Sequence, residues 1–567
     1  MPVNDDEIQL KRIDDLKKRE EEDLIRVLAD AKYKIPYINL HDTTIDGSAL
    51  HFVEEATARK SELAPFKILG KNIYLAVFSP EREDVTSIIK DLEQKGLTVY
   101  LYMASHASLE KAWQRYSEVS FSKEVKTGSL DISSETLETF GQKINHIGDI
   151  KILIDEVSKD KVHKISLLLE VILAGAIATG ASDIHIEPEE TNVRLRYRLD
   201  GALNDVLFFS SDIFKLLSSR VKLLSGLKLT LKSIAQDGRF SIFFGGTEIN
   251  IRTSVIPGAY GESIVLRLLD PRSIRVKLEE MGIDKKLFSV IEKTIEKPNG
   301  LILLTGPTGS GKTTTLYAFL QRIYSPDIKI ITIEDPIEYH LSGITQTQTD
   351  PAKGYTFLEG LRSSLRQDPD VIMVGEIRDS ETAKIAVESA LTGHLVFSTL
   401  HTNNASGVIP RLIDLGVSPK TIPSSLALSI AQRLVRKICP TCRKVRTENT
   451  DGDVAIMRKI ISDAIAEGKD LSDYKVGPDT PITLYESVGC ENCNNTGYKG
   501  RIGIFEAIIA NDPEIEKIIP GSPSEREIKQ VADKQGILDM KEDGVLKIIN
   551  GLTTIEEVRS VVDLDED

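Results

Sequence analysis

Gly306-Pro307-Thr308-Gly309-Ser310-Gly311-Lys312-Thr313 satisfies the pattern Gly-x-x-x-x-Gly-Lys-Ser/Thr at every fixed position. The chemistry served by that spacing is capture of a nucleoside triphosphate. Glycines let successive backbone N–H groups converge on phosphate oxygens, and the N-terminus of a following helix adds positive potential. Lys312 is expected to reach the β- and γ-phosphates, the Thr313 hydroxyl to ligate Mg²⁺, and Thr314 to complete the loop. The flanks supply the required context. The apolar run 300–305 predicts a strand and residues 314–320 predict a helix, which separates a phosphate-binding loop from a chance glycine turn.

Three later apolar runs deliver polar residues to the same place. Residues 328–333 lead into Glu334-Asp335-Pro336-Ile337-Glu338-Tyr339, residues 371–374 into Gly375-Glu376-Ile377-Arg378-Asp379, and residues 394–400 into His401. Strands separated by helical segments predict a mainly parallel sheet with ligands at the strand carboxyl ends. Hydrolysis needs a carboxylate to orient water and others to hold the metal's water shell. Glu376, Glu338 and Glu334 are the candidates. We favour Glu376 for the water and the other two for support, a division the spacing leaves open. His401 is expected to sense the γ-phosphate as a hydrogen-bond donor, helped by the pairing of two histidines, His394 and His401, around one strand. Charge on the phosphoryl oxygens also needs a cation. Arg252 and Arg267, on predicted strands of the preceding region, are chosen, with Arg239 in reserve; solvated strand arginines are the competing reading.

Cys439-Pro440-Thr441-Cys442 and Cys490-Glu491-Asn492-Cys493 contain all four cysteines. Two such knuckles suit tetrahedral Zn²⁺, each supplying two thiolates from one turn, with a disulfide or a redox pair as alternatives. Composition bounds the rest. A chain of 567 residues with 41% hydrophobic and 28% charged residues reads as several ordinary globular domains, and a net charge of −15 disfavours a general nucleic-acid binder. The acidic N-terminus has no signal-peptide pattern, and the apolar stretch 165–181, interrupted by Glu170, reads as a buried helix. No direct membrane insertion is expected.

Along the chain, residues 1–116 read as a charged helical start, with Ile13, Leu16, Leu24, Ile25 and Leu28 as its apolar stripe, followed by a small α/β domain. Residues 117–158 read as a linker and 159–272 as a second α/β domain. Alternation over 193–201 puts Arg194, Arg196 and Arg198 on one sheet face, where they are solvated, or suit an interface or phosphates. Residues 273–567 hold the phosphate-binding loop, an insertion at 436–500 around the cysteines, and a C-terminal helical region.

These features together resemble the secretion ATPase superfamily, specifically the type II secretion and type IV pilus assembly ATPases. The resemblance is carried by Ala181-Ser182-Asp183-Ile184-His185-Ile186-Glu187-Pro188, Gln236-Asp237-Gly238-Arg239, the phosphate-binding loop, and the acidic segment 334–339. Further along it rests on the strand ending at Glu376, the segment 393–401, the paired knuckles and Thr496-Gly497-Tyr498-Lys499-Gly500-Arg501. It implies an α/β protein with a RecA-like P-loop ATPase core and a preceding PAS-like α/β domain carrying the arginine fingers. A small zinc-binding insertion and a separate N-terminal α/β domain complete the expected fold. It also implies ATP, Mg²⁺ and structural Zn²⁺ as cofactors, and a homohexamer in which the arginine-bearing domain of one copy packs on its neighbour. Sequential hydrolysis would turn an inner-membrane platform protein that assembles pilin-like subunits. Arg362, Arg366 and Arg378 fall where the family has inter-subunit or nucleotide-sensing salt bridges. The insertion and N-terminal extension indicate an assembly motor, cytoplasmic and held peripherally at the bacterial inner membrane through partners. Ile35-Pro36-Tyr37-Ile38-Asn39-Leu40 resembles the opening of the family's N-terminal domain, for which docking to a cytoplasmic adaptor is expected; the repeats associated with cyclic di-GMP are not evident. A nucleotide-gated scaffold and a DNA-translocating ring are the competing functions, and pilus, secretion pseudopilus and DNA-uptake fibre remain alternative products.

Overall fold

The computed structural model describes residues 21–565 apart from 42, 44, 51, 54, 70–71, 95–96, 127–131, 158–163, 275, 448–450 and 478–479. Ile13 and Leu16 of the N-terminal apolar stripe lie outside the described residues. The chain divides into two units, residues 1–132 and 133–567.

In the first unit, β1 (Leu63–Leu69), β2 (Asn72–Val77) and β3 (Thr98–Met103) form a sheet in that order, with β2 antiparallel to β1 and parallel to β3. Helix Glu83–Gln94 makes the crossover, as a parallel pair requires. Ile73, Leu75, Val85 and Leu92 pack in one core. The Trp113 indole donates to the Leu63 carbonyl at 3.0 Å, giving its buried N–H a partner. Ile25 of the N-terminal stripe packs with Ala29 and Met103, whereas Leu24 is exposed.

The second unit begins earlier than the composition suggested. The stretch 117–158, expected as a linker, contains helices Ser134–Lys143 and Ile147–Val157. Ser133 caps the first by accepting from the Thr136 N–H, and Leu137, Ile150, Leu153 and Ile154 are buried. The expectation is corrected there. Few apolar residues suffice when they share one helical face and a largely apolar partner, helix Lys164–Ala178, is available to cover them.

That buried helix backs a six-stranded antiparallel sheet of β4 (Asp183–Pro188), β5 (Val193–Leu199), β6 (Ala202–Phe209), β7 (Gln236–Phe244), β8 (Thr247–Gly258) and β9 (Gly261–Leu269), ordered β6-β5-β4-β9-β8-β7. Strand β5 alternates between buried and half-buried residues. Leu195 and Tyr197 point inward, and the Tyr197 hydroxyl donates to the Ile172 carbonyl at 2.5 Å. Arg194, Arg196 and Arg198 lie on the other face.

The main sheet comprises β10 (Gly300–Thr305), β11 (Ile330–Glu334), β12 (Thr345–Gln348), β13 (Val371–Val374), β14 (Leu395–Leu400), β15 (Leu426–Ile438) and β18 (Tyr498–Ile509), ordered β12-β11-β13-β14-β10-β15-β18. All pairings are parallel except β15 with β18. Strands β10, β13 and β14 are buried at every residue, the pattern of a sheet covered on both faces. From β10 the chain crosses over β14 and β13 to reach β11, while β15 lies on its other side. That reversal opens a crevice at the carboxyl ends. The intervening numbers belong to a short ladder, β16 (Lys444–Val445) and β17 (Tyr485–Glu486), inside the excursion between β15 and β18. Helices Glu525–Ala532 and Met540–Ile549 follow β18, each starting with a capping box. Among the described residues, no helix is long and apolar enough to cross a membrane.

Candidate nucleotide site and metal centre

The loop after β10 rests against β15. Gly306 has φ 138°, and a Cβ there would stand 2.5 Å from the Gln432 carbonyl oxygen. Gly311, at φ 92°, would place one 2.7 Å from Gln432 Nε2. Neither position admits a side chain, so the tight seating of the loop dictates glycine. Helix Lys312–Ile323 starts at once, and Thr315 donates to Gln432 Oε1 at 2.8 Å, fastening the first turn to β15. Lys312 Nζ donates to the Gly306 and Pro307 carbonyls at 2.8 and 3.0 Å. Burial pushes its ammonium below the ordinary lysine value against the pull of Glu376. The Ser310 hydroxyl is buried without a hydrogen-bond partner among the described residues. A helix N-terminus at the loop, a cation held by loop carbonyls and a hydroxyl orphaned among the described residues all fit a bound triphosphate.

A cleft of about 770 Å³ opens over this loop, a size that suits a nucleotide. Its one wall is formed at the strand ends by Lys312, Thr313, Glu334, Glu338, Glu376 and His401. Glu376 receives a hydrogen bond from His401 Nε2 at 3.0 Å and pairs with Arg378. Burial raises its pKa, but Arg378 and His401 outweigh that and hold the carboxyl below the usual glutamate value. Glu334 is 3% exposed and enclosed by hydrogen bonds from Tyr317, from Thr332 at 2.5 Å and from Gln346 at 3.1 Å. Burial raises its pKa. Glu338 is half-buried and lies 3.3 Å from Arg252 Nη1. The three carboxylates are thus unlike: one ionised and oriented, one sequestered, one paired across the cleft.

Asp183, Arg198 and Arg267 of the antiparallel sheet form the opposite wall, and Arg501 of β18 also lines the cleft. Arg252 crosses to the first, donating to the Ile337 carbonyl at 2.8 Å. Of the two arginines expected to act as fingers, Arg267 therefore borders the same cleft as the loop of its own chain, while Arg252 contacts Ile337 and Glu338 at its margin. Arg239 sits opposite Arg252 in the β7–β8 register but is exposed and outside the cleft. Arg362 pairs with Glu359 at 3.2 Å, and Arg366 donates to the Arg362 carbonyl at 3.1 Å; only Arg378 of that expected trio touches a cleft residue. His394 lies at the far end of β14 against the Ser389 carbonyl, 3.0 Å away, so of the two flanking histidines His401 alone reaches the site. Sequence reasoning passed over Asp183, Arg501 and Tyr317 as site residues. The first two sit inside segments that carried the family resemblance, which was the available signal.

The register of β15 with β18 ends at Ile438 opposite Tyr498, which sets the two cysteine pairs side by side. All four Sγ atoms lie within 4.8 Å of one another. Distances of 3.9 Å for Cys439–Cys490, 3.8 Å for Cys442–Cys493 and 3.7 Å for Cys490–Cys493 match the edge of about 3.8 Å that four Zn–S bonds of about 2.3 Å give. A disulfide needs about 2.05 Å. The Cys490 and Gly497 N–H groups donate to Cys493 Sγ at 3.2 and 3.3 Å, as they would to a metal-bound thiolate. The cluster fits zinc.

Residues 158–560 match the family described as type II/IV secretion system protein, and residues 33–122 match the MshEN domain. The type IV pilus assembly ATPase PilB of Myxococcus xanthus is 37% identical over 540 residues, covering 95% of this chain and 91% of the relative. The type II secretion system protein E of Pseudomonas aeruginosa is 44% identical over 394 residues, 70% and 74% of the two chains. Among solved structures, the ATPase DotB of Legionella pneumophila aligns with a TM-score of 0.50 at 21% identity over 70% of this chain and 95% of its own, a likeness of fold. A triphosphate cleft with this donor set, the family match over residues 158–560 and relatives named as ATPases lead to one conclusion: the chain belongs to the type II/IV secretion system protein family and is an ATPase.

Proposed function

We propose that the protein is a homohexameric ATPase motor that drives assembly of a type IV pilus or type II secretion pseudopilus. It would work in the cytoplasm, at the bacterial inner membrane, through a platform protein and an adaptor. The observation that carries this reading is the convergence of Lys312, the Glu376–His401 pair and Arg267 on one cleft.

In the proposed cycle, the loop amides and Lys312 take the β- and γ-phosphates, Lys312 exchanging the Gly306 and Pro307 carbonyls for phosphate oxygens. Thr313 would hold Mg²⁺, which neutralises phosphate charge when bound. Glu376, ionised and steadied by His401, orients the attacking water, and its low basicity suits positioning better than outright proton abstraction. Glu334 keeps the end of β11 in place through Tyr317 and Thr332. Arg267 and Arg252 meet the charge that builds on the transferred group, in cis. Release of phosphate removes what holds the two walls together, so the sheet bearing the arginines swings. Cys439, Cys442, Cys490 and Cys493 would hold structural Zn²⁺, which closes the β15–β18 excursion.

Steady-state phosphate release from the purified protein tests this. The parent is expected to turn over ATP, with activity abolished in Lys312→Ala and lowered about 10²–10⁴-fold in Glu376→Gln. A parent that binds ATP without turnover would make it a nucleotide-gated scaffold, and stimulation by DNA would favour a translocating ring.

A further inference from the structure

Among the arginine–carboxylate pairs on one face of the antiparallel sheet, that of Arg267 is unlike those of Arg194 and Arg196. Arg194 grips Asp205 with both Nε and Nη2, at 2.7 and 2.8 Å. Arg196 likewise grips Glu187 through Nε and Nη2, at 2.9 and 2.5 Å. Two N–H groups of each fork are consumed, and neither arginine borders the cleft. Arg267 gives a single hydrogen bond among the described residues, from Nε to Asp183 Oδ1 at 2.8 Å, and its side chain is 59% exposed. Both Nη groups are thereby left to the cleft, in the geometry that accepts two oxygens of a phosphate.

Register explains why one carboxylate achieves this. Asp183 on the central strand β4 lies directly opposite Arg267 on β9 and directly opposite Arg198 on β5. Its Oδ2 accepts from Ser182 Oγ at 2.8 Å and stands 3.4 Å from Arg198 Nε, so the carboxylate cannot rotate without losing partners on both sides. At 3% exposure it is also the deepest charged group on that wall. Burying an aspartate costs free energy unless it is paired, and here the pairing fixes the base of an exposed cation.

We propose that Asp183 is a positioning residue for hydrolysis, gripping Arg267 from the side so that its two terminal nitrogens are presented to the γ-phosphate. This rests on the role given above to Arg267. Asp183 touches no reacting atom, so its removal alters turnover only through the arginine.

A double-mutant cycle in the full-length protein, read by steady-state ATP hydrolysis, separates this from a structural role. Asp183→Ala is expected to lower kcat about 10²-fold, the effect of displacing a group from its working geometry, with KM for ATP changed little. In an Arg267→Ala background the same substitution should change kcat by less than about twofold. Asp183→Asn, which keeps the shape and one acceptor, is read the same way should the alanine variant fail to fold, and Asp183→Glu should recover part of the activity. Equal losses in both backgrounds, or an unchanged kcat in Asp183→Ala, would overturn the proposal while leaving Arg267 its role. An Arg267→Ala protein with parental kcat would overturn both.

Discussion

The two walls of the cleft are built differently. The wall at the ends of β10, β11, β13 and β14 stands on strands buried at every residue, and Glu334, Glu376 and Lys312 on it are each held by two or three partners. Glu334 alone receives three side-chain hydrogen bonds. The wall from the antiparallel sheet presents long arginines on half-exposed strand faces, and Arg267 among them is anchored by one carboxylate, Asp183. A rigid wall suits binding and a compliant one suits a response to charge, because an ion pair with one partner can be exchanged for a phosphate at small cost. Affinity and turnover should therefore be separable by wall.

That separation gives the largest expected effects. Arg267→Ala should lower kcat by about 10³-fold or more while ATP affinity stays close to parental. Lys312→Ala should weaken ATP binding itself, seen by equilibrium titration with a fluorescent ATP analogue. Equal losses of affinity and turnover in both variants would erase the distinction. The cysteine cluster sharpens it from outside, since it closes the hairpin on which the loop is seated without facing the cleft. Cys442→Ser should remove zinc, measured by elemental analysis, and lower the melting temperature, because structural zinc contributes on the order of 10 kcal/mol in small sites. Protein purified under reducing conditions without zinc would contradict the assignment.

A smaller effect concerns pH. The Glu376 carboxyl is held below its ordinary 4.5 in the folded protein. The stability it contributes is therefore present above the unfolded value and fades as pH falls through the folded one. Glu376→Gln should lower the melting temperature at pH 7, and the gap to the parent should narrow towards pH 4. A constant gap would mean that Arg378 and His401 do not hold this carboxylate.

Local chemistry was legible in the sequence and register was not. The phosphate-binding loop, strands β10, β11, β13 and β14 and the residues at their ends follow from short-range spacing, and each of these strands lies within two residues of its expected place, whereas β12, β15 and β18 were not anticipated. The paired cysteines follow from spacing too, though their closure depends on β15 meeting β18 across sixty residues of chain. Asp183 stood inside a recognised segment, yet its partnership with Arg267 exists only because β4 and β9 align antiparallel, a choice no local pattern announces. Tyr317 reads as one more apolar residue of a helix until β11 brings Glu334 under its hydroxyl. The misread linker has the same origin: Leu137, Ile150 and Leu153 are sparse along the chain and become a face only against helix Lys164–Ala178.

The central claim is that both walls of one working site belong to one chain, and subunit mixing tests it most directly. Lys312→Ala and Arg267→Ala proteins, each inactive, are denatured together, reassembled and assayed for phosphate release. The cis arrangement predicts no recovery at any mixing ratio, because every chain lacks one wall. Recovery of activity in the mixture, absent from either variant reassembled alone, would show that the arginine reaches a neighbour's triphosphate and would contradict the account.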